Sequence, residues 1–312
     1  MNDSEFLQLC KEGSFQQIKD AVSKGANVKA KDENGRTSLM IAAGFNSNPE
    51  VITAIIEESD VEAVNNNGFT ALMIAAGGNS NPEVITALIN GNAKVNASEN
   101  GGNTPLMLAA LANSNPDVIT ALIKADAFIN VRNASGMSPL MFAAMFNSNP
   151  KVITALIREG ADVKSENEDG LTALLVAAGK PNTEIITAFI NNTDVETINV
   201  MNSKGMTPLM VAAMTNSNPD VITALINAGA DVNAVNKSGY TALFFAADSN
   251  SNPEVIQALI DGGSDLSARN TNGETALMLA ERRNPNSRVI MAVINEAINE
   301  NRSHQRQLDQ VN

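Results

Sequence analysis

The chain has 312 residues, 44% of them hydrophobic, and a formal net charge of −13. That charge argues against nucleic acid or an anionic membrane as the main partner, since both reward basic patches. One cysteine, Cys10, rules out an intrachain disulfide and a cysteine-based zinc site.

The opening "MNDSEFLQLCKEG" lacks the basic region and long apolar core of a signal peptide. No run reaches the roughly 18 apolar residues of a membrane span. A reducing, cytoplasmic setting is therefore expected, and no sequence signal opposes export by a secretion system. Residues 4–28 read as two short helices, with Phe6, Leu9, Cys10, Phe15, Ile18 and Val22 as their inner faces. This segment, within 1–32, is expected to cap a longer array. Cys10 is then a small core residue rather than a nucleophile.

From residue 33 the chain repeats itself. Glycines ahead of a "T-x-L" motif fall at Gly35, Gly68, Gly102, Gly136, Gly170, Gly205, Gly239 and Gly273, spaced by 33, 34, 34, 34, 35, 34 and 34. Such a period belongs to a stacked supersecondary unit. Eight copies start near 33, 66, 100, 134, 168, 203, 237 and 271 and run to 298. Within Ala134–Asn167, Gly136 sits in a polar turn and can take positive φ. Ser138 caps a first helix whose first position is Pro139, and Leu140–Ala144 form its body.

The letters Asn-Ser-Asn-Pro then recur, beginning at Asn46, Asn79, Asn113, Asn147, Asn216 and Asn250. Asn147 is expected to stop the first helix in the left-handed conformation. Asn149 is expected to cap a second helix, with Pro150 at its first position. The next residue is often acidic (Glu50, Glu83, Asp117, Asp220, Glu254), which suits the positive end of the helix dipole. The second helix carries a one-sided stripe, Val152, Ile153, Leu156 and Ile157. It ends at Gly160, Gly229 or Gly263, with Asn92 and Asp126 in the equivalent places.

The turn, "G-x-T-P-L-M-x-A-A", the helix–loop–helix and "G-A-D-V-N-A" together resemble the ankyrin repeat, over residues from about 33 to 295. The resemblance implies an all-α solenoid of antiparallel helix pairs joined by short β-turn or hairpin-like connections. The family's usual His after "TPL" is replaced by Met40, Met73, Met107, Met141, Leu175, Met210, Phe244 and Met278. That His normally bridges neighbouring repeats by hydrogen bonds, so packing is expected to replace polar bridging here.

The copy from 168 is irregular. "AAGKPNTEII" is a residue short and "TDVETINVMNSKG" is three residues long, which predicts a local change of curvature near 179–204. That insertion is either a tolerated loop or one shaped for a partner. The last copy is more charged, and residues 299–312 read as a polar tail holding His304, the one histidine.

No nucleophile, base and orienting group converge in this pattern, and no phosphate loop or metal cluster is legible, so neither catalysis nor a cofactor or metal is expected. The resemblance implies a protein-interaction module whose concave face is made by the turn tips and the exposed side of the first helices. On that face the residue after the turn glycine and the two after "Ala-Ala" are free of the fold. They place Phe45, Phe69, Leu111, Met137, Met145, Phe146, Leu171, Met206, Met214 and Tyr240 in an apolar stripe, with Lys180, Arg132 and Arg36 as rim charges. A contiguous apolar patch marks an interaction site, and Met and aromatic residues are enriched at interface cores. The expected partner is a protein or peptide bound by a monomer. The alternative is a small ligand or nucleotide held in the same groove, which would need a closed pocket.

Overall fold

The computed structural model describes the backbone of residues 1–311 and the side chains of residues 1–303. It divides into two compact units, residues 1–162 and 163–312. Each is a stack of helix pairs. Among the described residues the β pairing outside helices is one isolated bridge, Lys31 to Thr37.

The first unit begins with the capping pair Asp3–Glu12 and Phe15–Ser23. Asn2 and Ser14 close capping boxes at their starts. Phe6, Cys10 and Ile18 are buried as expected, while Leu9, Phe15 and Val22 are half-buried. Four repeat pairs follow. Their first helices are Ser38–Phe45, Ala71–Gly78, Pro105–Ala112 and Pro139–Phe146. Their second helices are Pro49–Ile55, Pro82–Asn90, Pro116–Lys124 and Pro150–Arg158. The second unit repeats the plan, with first helices Ala173–Ala178, Pro208–Thr215, Ala242–Ser249 and Ala276–Arg283. Its second helices are Thr183–Asn192, Pro219–Asn227, Pro253–Asp261 and Ser287–Val311.

The helix starts form where the sequence places them. Ser138 accepts from the Met141 amide and Asn149 from the Lys151 amide, with Pro139 and Pro150 at the first helical positions. The second helices end as expected too: Asn92 and Asp126 take φ of 68° and 64°, beside 96°, 92° and 90° at Gly160, Gly229 and Gly263. The core is the alanine-rich first helix against the Val-Ile-x-x-Leu face of the second. Val118, Ile119 and Leu122 are fully buried, as are their counterparts Val221, Ile222 and Leu225.

Three expectations need correction. Asn147 does not stop its helix in the left-handed region; its backbone is extended, φ −82° and ψ 136°. The side chain does the work instead, which overturns the second expectation. Asn147 Nδ2 donates to the Ala110 and Asn113 carbonyls of the preceding copy at 3.0 and 2.9 Å. Its Oδ1 accepts from the Asn149 amide at 2.9 Å. Asn79 bonds Ala43 and Asn46 in the same way, and Asn113 bonds Ala76 and Asn79. Polar bridging between copies is therefore retained, moved from the missing His to the first Asn of Asn-Ser-Asn-Pro. The methionines pack, but they do not replace the bridge. In the second unit Asn216, Asn250 and Asn284 continue the ladder.

Third, the segment from 299 is not a separate tail: its backbone continues the last helix, Ser287–Val311. The His304 side chain lies outside those described. The three-residue insertion in the copy from 168 folds as one helical turn, Val195–Ile198, capped by Asp194. The Thr197 hydroxyl and amide hydrogen-bond the Asp194 carboxyl and hold it below the usual carboxylate range.

Candidate binding surface

The turn tips are built around one side chain per copy. Asn133 Oδ1 accepts from the Ser135 amide at 3.0 Å and the Met137 amide at 2.9 Å, folding the chain back so that Met137 leads into the first helix. Asn65, Asn167, Asn202 and Asn236 do the same for Phe69, Leu171, Met206 and Tyr240. Gly102 shows why a glycine follows: φ is 79°, and a Cβ there would come within 3.2 Å of the Ala134 amide of the next turn. Successive tips also bond through their backbones, as in Ala134 N–H to the Gly101 carbonyl at 3.0 Å.

At the other end of each first helix, the residue before the ladder asparagine points to solvent. In the first unit this row reads Phe45, Gly78, Ala112, Phe146, all exposed. Phe45 is 52% and Phe146 56% exposed, with Met145 beside it at 39%. These are large apolar side chains on helices whose other faces are sealed. Phe146 lies 6.2 Å, centroid to centroid, from the buried Phe142 ring, which holds its rotamer. Lys11 Nζ stands 5.3 Å and the Arg36 guanidinium 5.8 Å from the Phe45 ring centroid. Arg36 is itself fixed by Asp32 at 2.7 Å. Burial pushes the Asp32 carboxyl up, but the side-chain and backbone hydrogen bonds of Arg36 outweigh it and hold it below the usual range.

The other expected residues are less accessible. Phe69, Leu111 and Met137 in the first unit are half-buried, as are Leu171, Met206, Met214 and Tyr240 in the second. Tyr240 packs against both Phe244 and Phe245, at 5.4 and 5.5 Å. In the second unit the row before the ladder asparagine is polar, Thr215, Ser249 and Arg283, all exposed, as is Lys180 in the copy that lacks that asparagine. Lys11 was not legible as a site residue. It lies outside the repeat, in the capping pair, and comes to Phe45 only through the stacking of the two copies.

Two clefts of about 530 and 590 Å³ lie elsewhere, between neighbouring second helices. Thr86 and Thr120 line one, and Thr223 and Gln257 line the other at the same register. They are grooves of the repeat geometry, and no residue of the apolar row lines either.

Among the described residues no helix is long and apolar enough to cross a membrane. A family model described as "Ankyrin repeats (3 copies)" matches residues 6–99, 39–133, 76–167, 140–236 and 210–302. No curated protein sequence matches the chain. Among solved structures, the chain is similar to the ankyrin repeat domain of Bcl-3, a member of the IkappaB protein family, at 27% identity and a TM-score of 0.61, covering 74% of this chain and 100% of that one. It is also similar to the human ASB11 ankyrin repeat domain, at 26% identity and a TM-score of 0.60, covering 72% of this chain and 98% of the other.

Proposed function

From the premise that this chain belongs to the ankyrin-repeat family, a family of protein-interaction modules, we propose that it is a non-catalytic binding protein. It holds a protein or peptide on the face built by the first helices and turns, in a cytoplasmic setting. The observation that carries this reading is the exposure of Phe45, Met145 and Phe146 on otherwise sealed helices. Large apolar side chains at solvent-facing positions do nothing for the fold, and burying them against a partner is favourable by about 25 cal/mol per Å². Phe45, Gly78, Ala112 and Phe146 hold one register on four stacked helices. Two aromatic rings thus frame a stretch of minimal side chains into which a partner's own apolar groups can settle. Lys11 and Arg36 beside Phe45 favour a carboxylate at that end of the partner.

The test compares the wild type with a Phe45→Asp, Met145→Asp, Phe146→Asp variant in affinity capture from source-cell lysate, after circular dichroism shows both folded. A protein retained by the wild type and lost by the variant is the expected result. Equal retention by both would remove this row from the binding site.

A further inference from the structure

One turn of the first unit is built on a different side chain. At Asn65 and Asn133 a carboxamide oxygen accepts both tip amides. In the copy from 100 that place belongs to Glu99, whose Oε2 accepts from the Gly101 amide at 2.7 Å and whose Oε1 accepts from the Asn103 amide at 3.0 Å. Burial pushes this carboxyl up, but the hydrogen bonds from Gly101 and Asn103 outweigh it and hold it below the usual carboxylate range. At neutral pH it is therefore ionised and can only accept. A carboxylate has more lone pairs than a carboxamide oxygen, and the surplus goes to the Asn103 side chain: Oε1 also accepts from Asn103 Nδ2 at 2.7 Å.

The next copy holds Asn103 from its other side, with Asn133 Nδ2 donating to Asn103 Oδ1 at 2.8 Å. These two partners alone decide which way the Asn103 amide points. Glu99 can take only a donor. Asn133 spends its oxygen on the Ser135 and Met137 amides, so only its nitrogen is left to face Asn103. The amide is thus oriented before anything binds. The two ties use one of its two N–H groups and one of the two lone pairs on its oxygen. Among the described residues nothing takes the donor and the acceptor that remain.

One fixed donor and one fixed acceptor are the complement of a peptide group, which offers one C=O and one N–H. Position agrees with chemistry. Asn103 stands between Phe69 and Met137 in the row after the turn glycine, and all three are half-buried. The first helices of this unit, 38–45, 71–78, 105–112 and 139–146, carry no charged residue in a chain of net −13. A segment laid on so apolar a floor loses water from its backbone, and a peptide group left unpaired there weakens binding. An α-helix has already paired its peptide groups internally and has none to offer mid-length; an extended segment has all of them.

We propose that Asn103 anchors the backbone of an extended peptide segment of the partner, pairing with one peptide group while Phe69 and Met137 take apolar side chains on either side. The proposal rests on the binding face described above and names the form in which a partner lies there.

Peptides of about 12 residues test it, since four stacked copies span about 30 Å, roughly nine residues of extended chain. A random library of that length, displayed on phage and selected on the immobilised full chain, supplies the probes. In the strongest binder, methylating one particular backbone nitrogen should weaken binding to the wild type about tenfold. Asn103→Met, which copies Met137 of the next turn, should weaken the unmethylated peptide about tenfold and make it indifferent to that methylation. Methylation that costs the folded variant as much as the wild type overturns the proposal. So does a scan of the wild type in which no single nitrogen stands out, a result that needs no variant to fold, and so does a library that yields no peptide. The Phe45→Asp, Met145→Asp, Phe146→Asp variant reads the exposed row separately. Peptides that ignore that triple change yet respond to Asn103 would sink the row and keep the amide.

Discussion

The two units share one scaffold and differ in what they show to solvent. Val84, Ile85 and Leu88 in the first unit and Val221, Ile222 and Leu225 in the second bury the same second-helix face, and Ala75-Ala76 and Ala212-Ala213 are the same paired alanines of the first helices. At the position before the ladder asparagine, however, the first unit places Phe45, Gly78, Ala112 and Phe146, and the second places Thr215, Ser249 and Arg283. They also differ in the ladder. Asn46, Asn79, Asn113 and Asn147 run without a gap in the first unit, whereas the second opens with a copy that writes Gly179-Lys180-Pro181-Asn182 and resumes the ladder at Asn216. Packing is therefore carried by residues other than this exposed row. The scaffold tolerates aromatic or charged groups at a position that contributes nothing to its closure.

The largest effect that would test this separation is on the ladder. Asn113→Ala leaves the buried Ala76 and Asn79 carbonyls without their donor and the Asn115 amide without its acceptor. The expected loss is about 3 kcal/mol, since each unsatisfied buried group costs about 1–3. Urea denaturation measures it, and a loss below about 1 kcal/mol would mean that packing alone holds the copies together. Next comes the contrast in recognition. Thr215→Asp with Ser249→Asp should leave partner capture intact and stability within about 0.5 kcal/mol, as surface changes usually do. A loss of capture like that of the first-unit variant would make the polar row part of the site.

The acid response should be smaller and present in both units. Glu274 is held below the usual carboxylate range by hydrogen bonds from Asn270 and Arg282, as Asp32 is by Arg36. A lowered native pKa stabilises the fold above the unfolded-state value, and that stability is lost as pH falls through the native value. Asp32→Asn and Glu274→Gln should each flatten the fall in melting temperature on acidification; an unaltered acid slope in both variants would show that neither pair matters to stability. The smallest expected effect is a gain. Asp126→Gly relieves a non-glycine residue at φ 64° and should stabilise the first unit by about 0.5 kcal/mol in the same urea experiment. Destabilisation would mean that its side chain has a role the backbone does not reveal.

Much of the fold was legible because its punctuation is local. Ser138-Pro139 and Asn149-Pro150 start helices by chemistry contained within a few residues, and Asn92 and Asp126 stand where glycines stand in other copies. The ladder was not legible, because the bonds of Asn79, Asn113 and Asn147 reach back 33 to 37 residues. Nothing in one copy tells what its neighbour's carbonyls lack. The candidate surface was legible as a set of positions but not in its depth. Met137 and Phe146 are both apolar letters at variable positions, and only the stacked neighbour decides that one is half-buried and the other exposed.

The ladder also bears on how such a chain can change in length. Asn79 and Asn113 each give an amide to the copy behind, while their own backbone carbonyls receive the amide of the copy ahead. Donor and acceptor travel together within one block of about 34 residues. A block that carries this asparagine can therefore follow another such block with no compensating substitution. Tandem duplication or deletion of whole blocks conserves each bond, whereas gain or loss of a fraction of a block breaks them. The chain is in this sense quantised, free to vary in number while fixed in unit.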